Sequence, residues 1–148
     1  MKISKIIIFI FLFLCSLNAN QSSKKLAYIV SDLDIPFWQI MSKGIKEKAN
    51  EFGYEVDIYS SQNLKKNELE NLAIALSSKI DGLIISPINS STAVTLIELA
   101  KTKNVPVVVA DIGSDSKDYL SFISSDNKNG AYELGKILTK YMKDLSWD

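Results

Sequence analysis

Short unbroken apolar runs and longer broken ones alternate along this chain, and polar stretches separate them. Leu26-Ala27-Tyr28-Ile29-Val30 is a run of strand length, apolar on both faces, as a strand buried between two layers requires. Ser31, Asp32 and Asp34 interrupt it, and Pro36 follows at a position where a helix start tolerates its missing N–H. Phe37, Ile40, Met41, Gly44, Ile45, Ala49 and Phe52 then recur at helical spacing up to Gly53, a suitable residue just past a helix end. Strand, polar loop, helix is the first half of a βαβ unit.

The same alternation predicts the remaining elements. Residues 54–59 alternate as an outer strand does, and a helix over 66–78 turns Leu69, Leu72, Ala73 and Leu76 inward. Leu83-Ile84-Ile85 is a short buried strand stopping at Ser86-Pro87. Ser90, Ser91 and Thr92 offer caps for a helix through Lys103 with Val94, Ile97, Leu99 and Ala100 apolar. Residues 105–110 form the most apolar strand, ended by Asp111, and 119–123 a fifth. A last helix over 129–145 carries Leu134, Ile137, Leu138, Tyr141 and Leu145 on one side. It packs on the sheet as a fifth layer element or leaves an apolar stripe exposed to self-association. Five strands alternating with helices imply an α/β fold: a doubly wound parallel sheet in the order 2-1-3-4-5, covered on both faces.

In such sheets ligands bind beyond the carboxyl ends of the strands. Those ends carry Ser31, Ser60, Ser86, Asp111 and Ser124. Polar strand ends are ordinary, but a carboxylate straight after an apolar strand is costly unless it meets solvent or a hydroxyl-rich ligand. Asp32 and Asp34 sit where a helix dipole favours negative charge.

Composition removes most catalytic chemistries. The chain has 17 lysines, no arginine, no histidine, 17 carboxylates and one cysteine, Cys15. A Ser-His-Asp or Cys-His nucleophile and a Cys/His zinc site are therefore excluded, and no acidic loop has calcium-binding spacing. The turn from Ser31 to Pro36 lacks glycine, so a dinucleotide has no close backbone approach. No enzyme activity, cofactor or metal is implied, and the charge balance leaves no footprint for nucleic acid.

The amino terminus has its own signature. Lys2 and Lys5 precede an apolar run from Ile6 to Leu14, and small or polar residues follow to Ala19. This is the pattern of a secretory signal over residues 1–19, which implies export to the periplasm. A transmembrane anchor needs about 20 apolar residues, roughly twice this run. Acylation at Cys15 is a third reading, with Leu14 where a small residue is expected. Cleavage after Ala19 leaves 15 lysines against 17 carboxylates, a formal charge of −2.

From about Lys25 to Lys143 the chain resembles the periplasmic sugar-binding proteins of ABC importers, the ribose-binding type in particular. The markers are Ala27-Tyr28-Ile29-Val30-Ser31 with Ile35-Pro36-Phe37-Trp38, and Gly53-Tyr54 with Ser61-Gln62-Asn63. Ile84 to Pro87, Val105-Pro106-Val107 running to Asp111, and Ser125-Asp126-Asn127 complete them. The resemblance implies two Rossmann-like lobes with a solute trapped between them. It implies Ser31 in the first ligand-facing loop, with Asp34 as a neighbouring polar group. Phe37 and Trp38 match the aromatic pair that sandwiches a sugar ring, and Asp111 the acceptor for sugar hydroxyls. Asp126 falls at the crossing, or hinge, into the second lobe. Ile35 and Ile112 depart from the ribose pattern, standing where an asparagine and an arginine are usual, which puts ribose itself in doubt.

The domain reading that follows is residues 1–19 as leader, 20–126 as the first lobe and 127–148 as the start of the second. The chain stops at Trp147-Asp148, so a truncated binding protein is expected, with weak binding or none. The expected partners are a small sugar-like solute and the membrane permease of an ABC importer. The competing role is a periplasmic sensor component serving a membrane histidine kinase or chemoreceptor. A flavodoxin-like enzyme or carrier lacks its phosphate loop here.

Overall fold

A computed structural model describes residues 24–145. The predicted leader therefore lies outside the described residues. β1 (Lys24–Val30), β2 (Tyr54–Ser60), β3 (Gly82–Ser86), β4 (Val107–Ala110) and β5 (Ser121–Ile123) alternate with α1 (Pro36–Glu51), α2 (Lys65–Ser77), α3 (Ser90–Thr102) and α4 (Asn127–Asp144). The strands form one all-parallel sheet in the order β2-β1-β3-β4-β5, the expected doubly wound order. Leu26 stands beside both Val56 and Gly82, Ile85 beside Val109, and Val109 beside Phe122.

Alternation of side chains along the strands divides the core in two. Ala27, Ile29, Leu83, Ile85, Val107 and Val109 face α2 and α3 and pack with Leu72, Ala75, Ala93, Leu96, Ile97 and Ala100. Tyr28, Val30 and Val56 face α1 and pack with Trp38, with Met41, Ile45 and Ala49 closing over them. The start of β3 is tied to β1 twice: Asp81 N–H donates to the Lys25 carbonyl, and Lys25 N–H donates to Asp81 Oδ2, both at 2.7 Å. Gly53 has φ +76°, a left-handed conformation that glycine adopts without cost.

Several expectations are corrected. The buried stripe of α1 runs through Trp38, Met41, Ser42, Ile45 and Ala49, while Ile40 and Phe52 are exposed. The indole takes the place in the core that periodicity assigned to its neighbours. In α2 the inward residues are Glu68, Leu72 and Ala75, and Leu69 and Ala73 face solvent. A buried carboxylate sets that rotation: Glu68 Oε1 accepts the Ile88 N–H at 2.9 Å, which hydropathy cannot register. In α3 the buried set is Ala93, Leu96, Ile97 and Ala100, with Leu99 exposed. The cap of α3 is Asn89, not Ser90, Ser91 or Thr92; its Oδ1 accepts the Thr92 N–H at 2.9 Å. β4 begins after Pro106 and β5 after Leu120, both later than the apolar runs. α4 buries no residue, so of the two expected dispositions its stripe takes the exposed one.

Candidate functional site

The carboxyl ends of β1, β3 and β4 lead into the loops that carry the sequence-predicted residues. The loop after β1 is built by its own hydrogen bonds. Asp32 Oδ1 accepts the Asp34 N–H at 3.0 Å, and Asp32 Oδ2 accepts from Asn63 Nδ2 at 2.9 Å. Leu33 N–H donates to Ser60 Oγ at 3.0 Å, and Gln39 Nε2 donates to the Leu33 carbonyl at 2.8 Å. Asp32 is thus a strut between two loops. Ser31 is buried, with its carbonyl accepting the Asn63 N–H at 2.8 Å, so it offers little surface to a solute. Asp34 is exposed.

Helix α1 starts at Pro36 without a side-chain cap, and this delivers Phe37 and Trp38 at the loop's end. Their rings meet edge to face, with centroids 4.8 Å apart and planes at 75°. Phe37 is 49% exposed and Trp38 is 6% exposed. The pair presents one open ring, and the indole is packed in the cluster of Tyr28, Val30 and Val56. A large aromatic body gains more from burial than from a place at the surface, and here the core claims it.

Asp111 stands two strands away, about 10 Å across the sheet by ordinary strand spacing. Its φ is +65°, and the Ile112 N–H donates back to the Ala110 carbonyl at 2.9 Å. A three-residue turn with a positive central φ is the strained hand of the γ-turn, and a non-glycine residue there is held by its surroundings. The surroundings are evident. Asp111 N–H donates to the Ile123 carbonyl at 2.8 Å, and Ile112 packs on the same cluster as Trp38. Trp38 and Ile112, the chain neighbours of Phe37 and Asp111, therefore share one apolar cluster.

Beneath them lies a polar pair that sequence reasoning passed over. Tyr28 Oη and Ser86 Oγ are 2.8 Å apart and buried, and Met41 Sδ lies 3.2 Å from the phenol oxygen. Burial pushes the Tyr28 phenol up to about 12, the Ser86 hydrogen bond opposes this, and the Asp111 charge adds to it. A tyrosine inside an otherwise aliphatic strand, facing a serine at the end of another, was the available signal. Ser42 Oγ and Ser61 Oγ are buried without a hydrogen-bond partner among the described residues.

Ile35 is 41% exposed at the rim, and Ile112 is half-buried, so hydrocarbon stands at both positions that depart from the ribose pattern. Asp126 caps α4, its Oδ1 accepting the Asn129 N–H at 3.0 Å. Among the described residues no three His, Cys, Asp or Glu side chains are grouped to hold a metal ion. The arrangement can stack an apolar face on Phe37 and accept hydrogen bonds at Asp111.

Known proteins show the same lobe. The chain is 29% identical over 127 residues to the ribose import binding protein of Haemophilus influenzae, covering 86% of this chain and 44% of that protein. It is 30% identical to the ribose import binding protein of Bacillus subtilis, covering 86% and 40%. The solved periplasmic ribose ABC transporter protein of Conexibacter woesei matches with a TM-score of 0.68 at 30% identity, over 82% of this chain and 40% of that one. A Caulobacter myo-inositol binding protein shares the fold, with a TM-score of 0.73 at 20% identity over 82% and 42%. The chain thus spans less than half the length of the relatives it matches. The family model for the periplasmic binding protein domain matches residues 26–145, and the chain belongs to that family.

Proposed function

We propose that this chain is the amino-terminal lobe of an exported solute-binding protein, which hands a small neutral hydroxylated solute to the membrane permease of an ABC importer without catalysis. Its parts are a leader over 1–19, the first lobe over 20–126 and the start of a second lobe over 127–148, with Asp126 at the hinge. Phe37 stacks on the apolar face of the solute and Asp111 accepts from its hydroxyls. Asp34 contributes from the rim. Trp38 braces Phe37 from below, and Ser31 holds the loop in place.

What supports this reading is an open aromatic ring in the segment after β1 and a carboxylate on a strained turn after β4, both beyond the carboxyl ends of parallel strands. A ring suits the C–H face of a sugar and a carboxylate suits its hydroxyl rim, where charge-assisted hydrogen bonds are strong. With Ile35 and Ile112 at the edge, the solute is less polar or differently shaped than ribose. One lobe leaves most of a solute in water, whereas tight sites bury about 70–90% of it. Affinity of the chain alone is therefore weak, on the order of millimolar, or about −4 kcal/mol.

Saturation-transfer NMR on the chain with ribose, glucose, myo-inositol and glutamate tests the proposal. At least one neutral polyol receives transfer, and Asp111→Ala with Phe37→Ala abolishes it. Transfer to glutamate alone, or to none of the four, overturns it.

A further inference from the structure

Three side chains from three elements meet in the layer between α1 and the sheet. Tyr28 stands opposite Ile84 of β3, yet its phenol reaches Ser86, two residues nearer the carboxyl end. Tyr28 Oη and Ser86 Oγ are 2.8 Å apart, and Met41 Sδ of α1 lies 3.2 Å from the first and 3.6 Å from the second. Two hydroxyl protons are available. One bridges the two oxygens and the other points to the sulfur, whichever oxygen donates to its neighbour. Tyr28 and Ser86 are fully buried, so neither meets a solute. Cohesion alone does not call for them. An apolar pair of the same shape holds such a layer about as well, whereas a buried hydroxyl has to find a partner. What the hydrogen bonds add is direction. Apolar packing lets a helix slide on a sheet, and a bond with a preferred length and angle resists it.

The junction sits where direction matters. Helix α1 begins without a side-chain cap, so no capping group pins its first turn. Met41 lies one turn beyond Phe37 and Trp38, and with Trp38 it packs toward the sheet. Ser86 closes β3, and Asp111 follows β4, the next strand, where Val109 stands beside Ile85. The Asp111 charge acts on the Tyr28 phenol, which puts the turn after β4 within its electrostatic reach. We propose that Tyr28 is a positioning residue of the solute site: with Ser86 it holds Met41, and so fixes where the start of α1 presents Phe37 relative to the turn at Asp111. The solute half of this rests on the function proposed above, and the placing of α1 does not.

Residual dipolar couplings on the full 148-residue chain measure the direction of α1 against β1 and β3 with no solute present. Tyr28→Phe and Ser86→Ala are each expected to turn or loosen α1 relative to those strands, and the double variant goes no further than the singles. Ile97→Val trims the layer on the other face of the sheet; it is expected to lower stability and leave α1 where it was. Affinity for the polyol with the strongest saturation transfer falls at least about five-fold in Tyr28→Phe and in Ser86→Ala, the size of one lost hydrogen bond, and holds in Ile97→Val. Unchanged couplings of α1 in Tyr28→Phe overturn the proposal. So does an affinity that holds in Tyr28→Phe, or that falls equally in Ile97→Val. A parent chain that binds no polyol overturns the proposed function, and the couplings still decide whether Tyr28 places α1.

Discussion

Asp111 holds a backbone conformation that costs a non-glycine residue about 1–3 kcal/mol. On the proposed function, that cost is retained because the carboxylate meets the solute there. Asp111→Gly is expected to raise stability by about 1 kcal/mol in urea denaturation and to remove solute binding. A loss of stability would mean that the turn is not strained. The aromatic neighbours divide their work in the opposite sense. Trp38→Ala is expected to cost about 3–5 kcal/mol, as for a buried aromatic. Phe37→Ala costs less than about 1 kcal/mol and weakens binding instead. Equal destabilisation by both changes would contradict this division. Tyr28 supplies a pH test. Its folded pKa of about 12 lies above the unfolded 10, so its contribution is complete below pH 10 and is lost as pH rises toward 12. The loss is on the order of 2–3 kcal/mol. Tyr28→Phe is expected to flatten the stability profile between pH 10 and 12 relative to the parent chain. Of these residues, Asp111 stood out as a carboxylate straight after an apolar strand, whereas Phe37 entered the candidate site only through the family resemblance. The burial of Trp38 and the phenol–hydroxyl pair depend on contacts across the sheet, which no local pattern carries.

At the scale of elements, the strand order and the number of helices were legible because apolar runs of strand length alternate with amphipathic ones. What periodicity misjudged was which way a helix faces. In α2 the deciding residue is Glu68, whose buried carboxylate accepts the Ile88 N–H and so ties the helix to the loop after β3. Glu68→Ala leaves that N–H unpaired and is expected to cost about 2–3 kcal/mol in thermal or urea unfolding. Glu68→Gln keeps an acceptor oxygen and costs distinctly less. Equal losses in the two variants would show that packing, not the hydrogen bond, sets the helix rotation. The cap of α3 was misjudged for a similar reason. Asn89, Ser90, Ser91 and Thr92 are all capable of capping, and the geometry of the preceding loop selects Asn89. The stripe of α4 was legible as a pattern, but whether it packs on the sheet depends on residues distant in sequence.

At the scale of the molecule, the described residues make a lobe of five strands and three packed helices, and the face assigned to the proposed solute is open. The relatives it matches are about twice as long, and on the proposed function a second lobe supplied from elsewhere in such a protein would close that face. On the proposed function, weak binding by this chain alone follows from its open geometry and does not require a defective site. The central claim is that Phe37 and Asp111 act on one hydroxylated solute. Amide chemical-shift mapping during titration with the polyol showing the strongest saturation transfer tests it most directly. The account predicts shifts confined to residues 31–38 and 110–113, saturating together at millimolar concentration. Shifts that saturate separately in the two loops, or fall instead along α4, would contradict it.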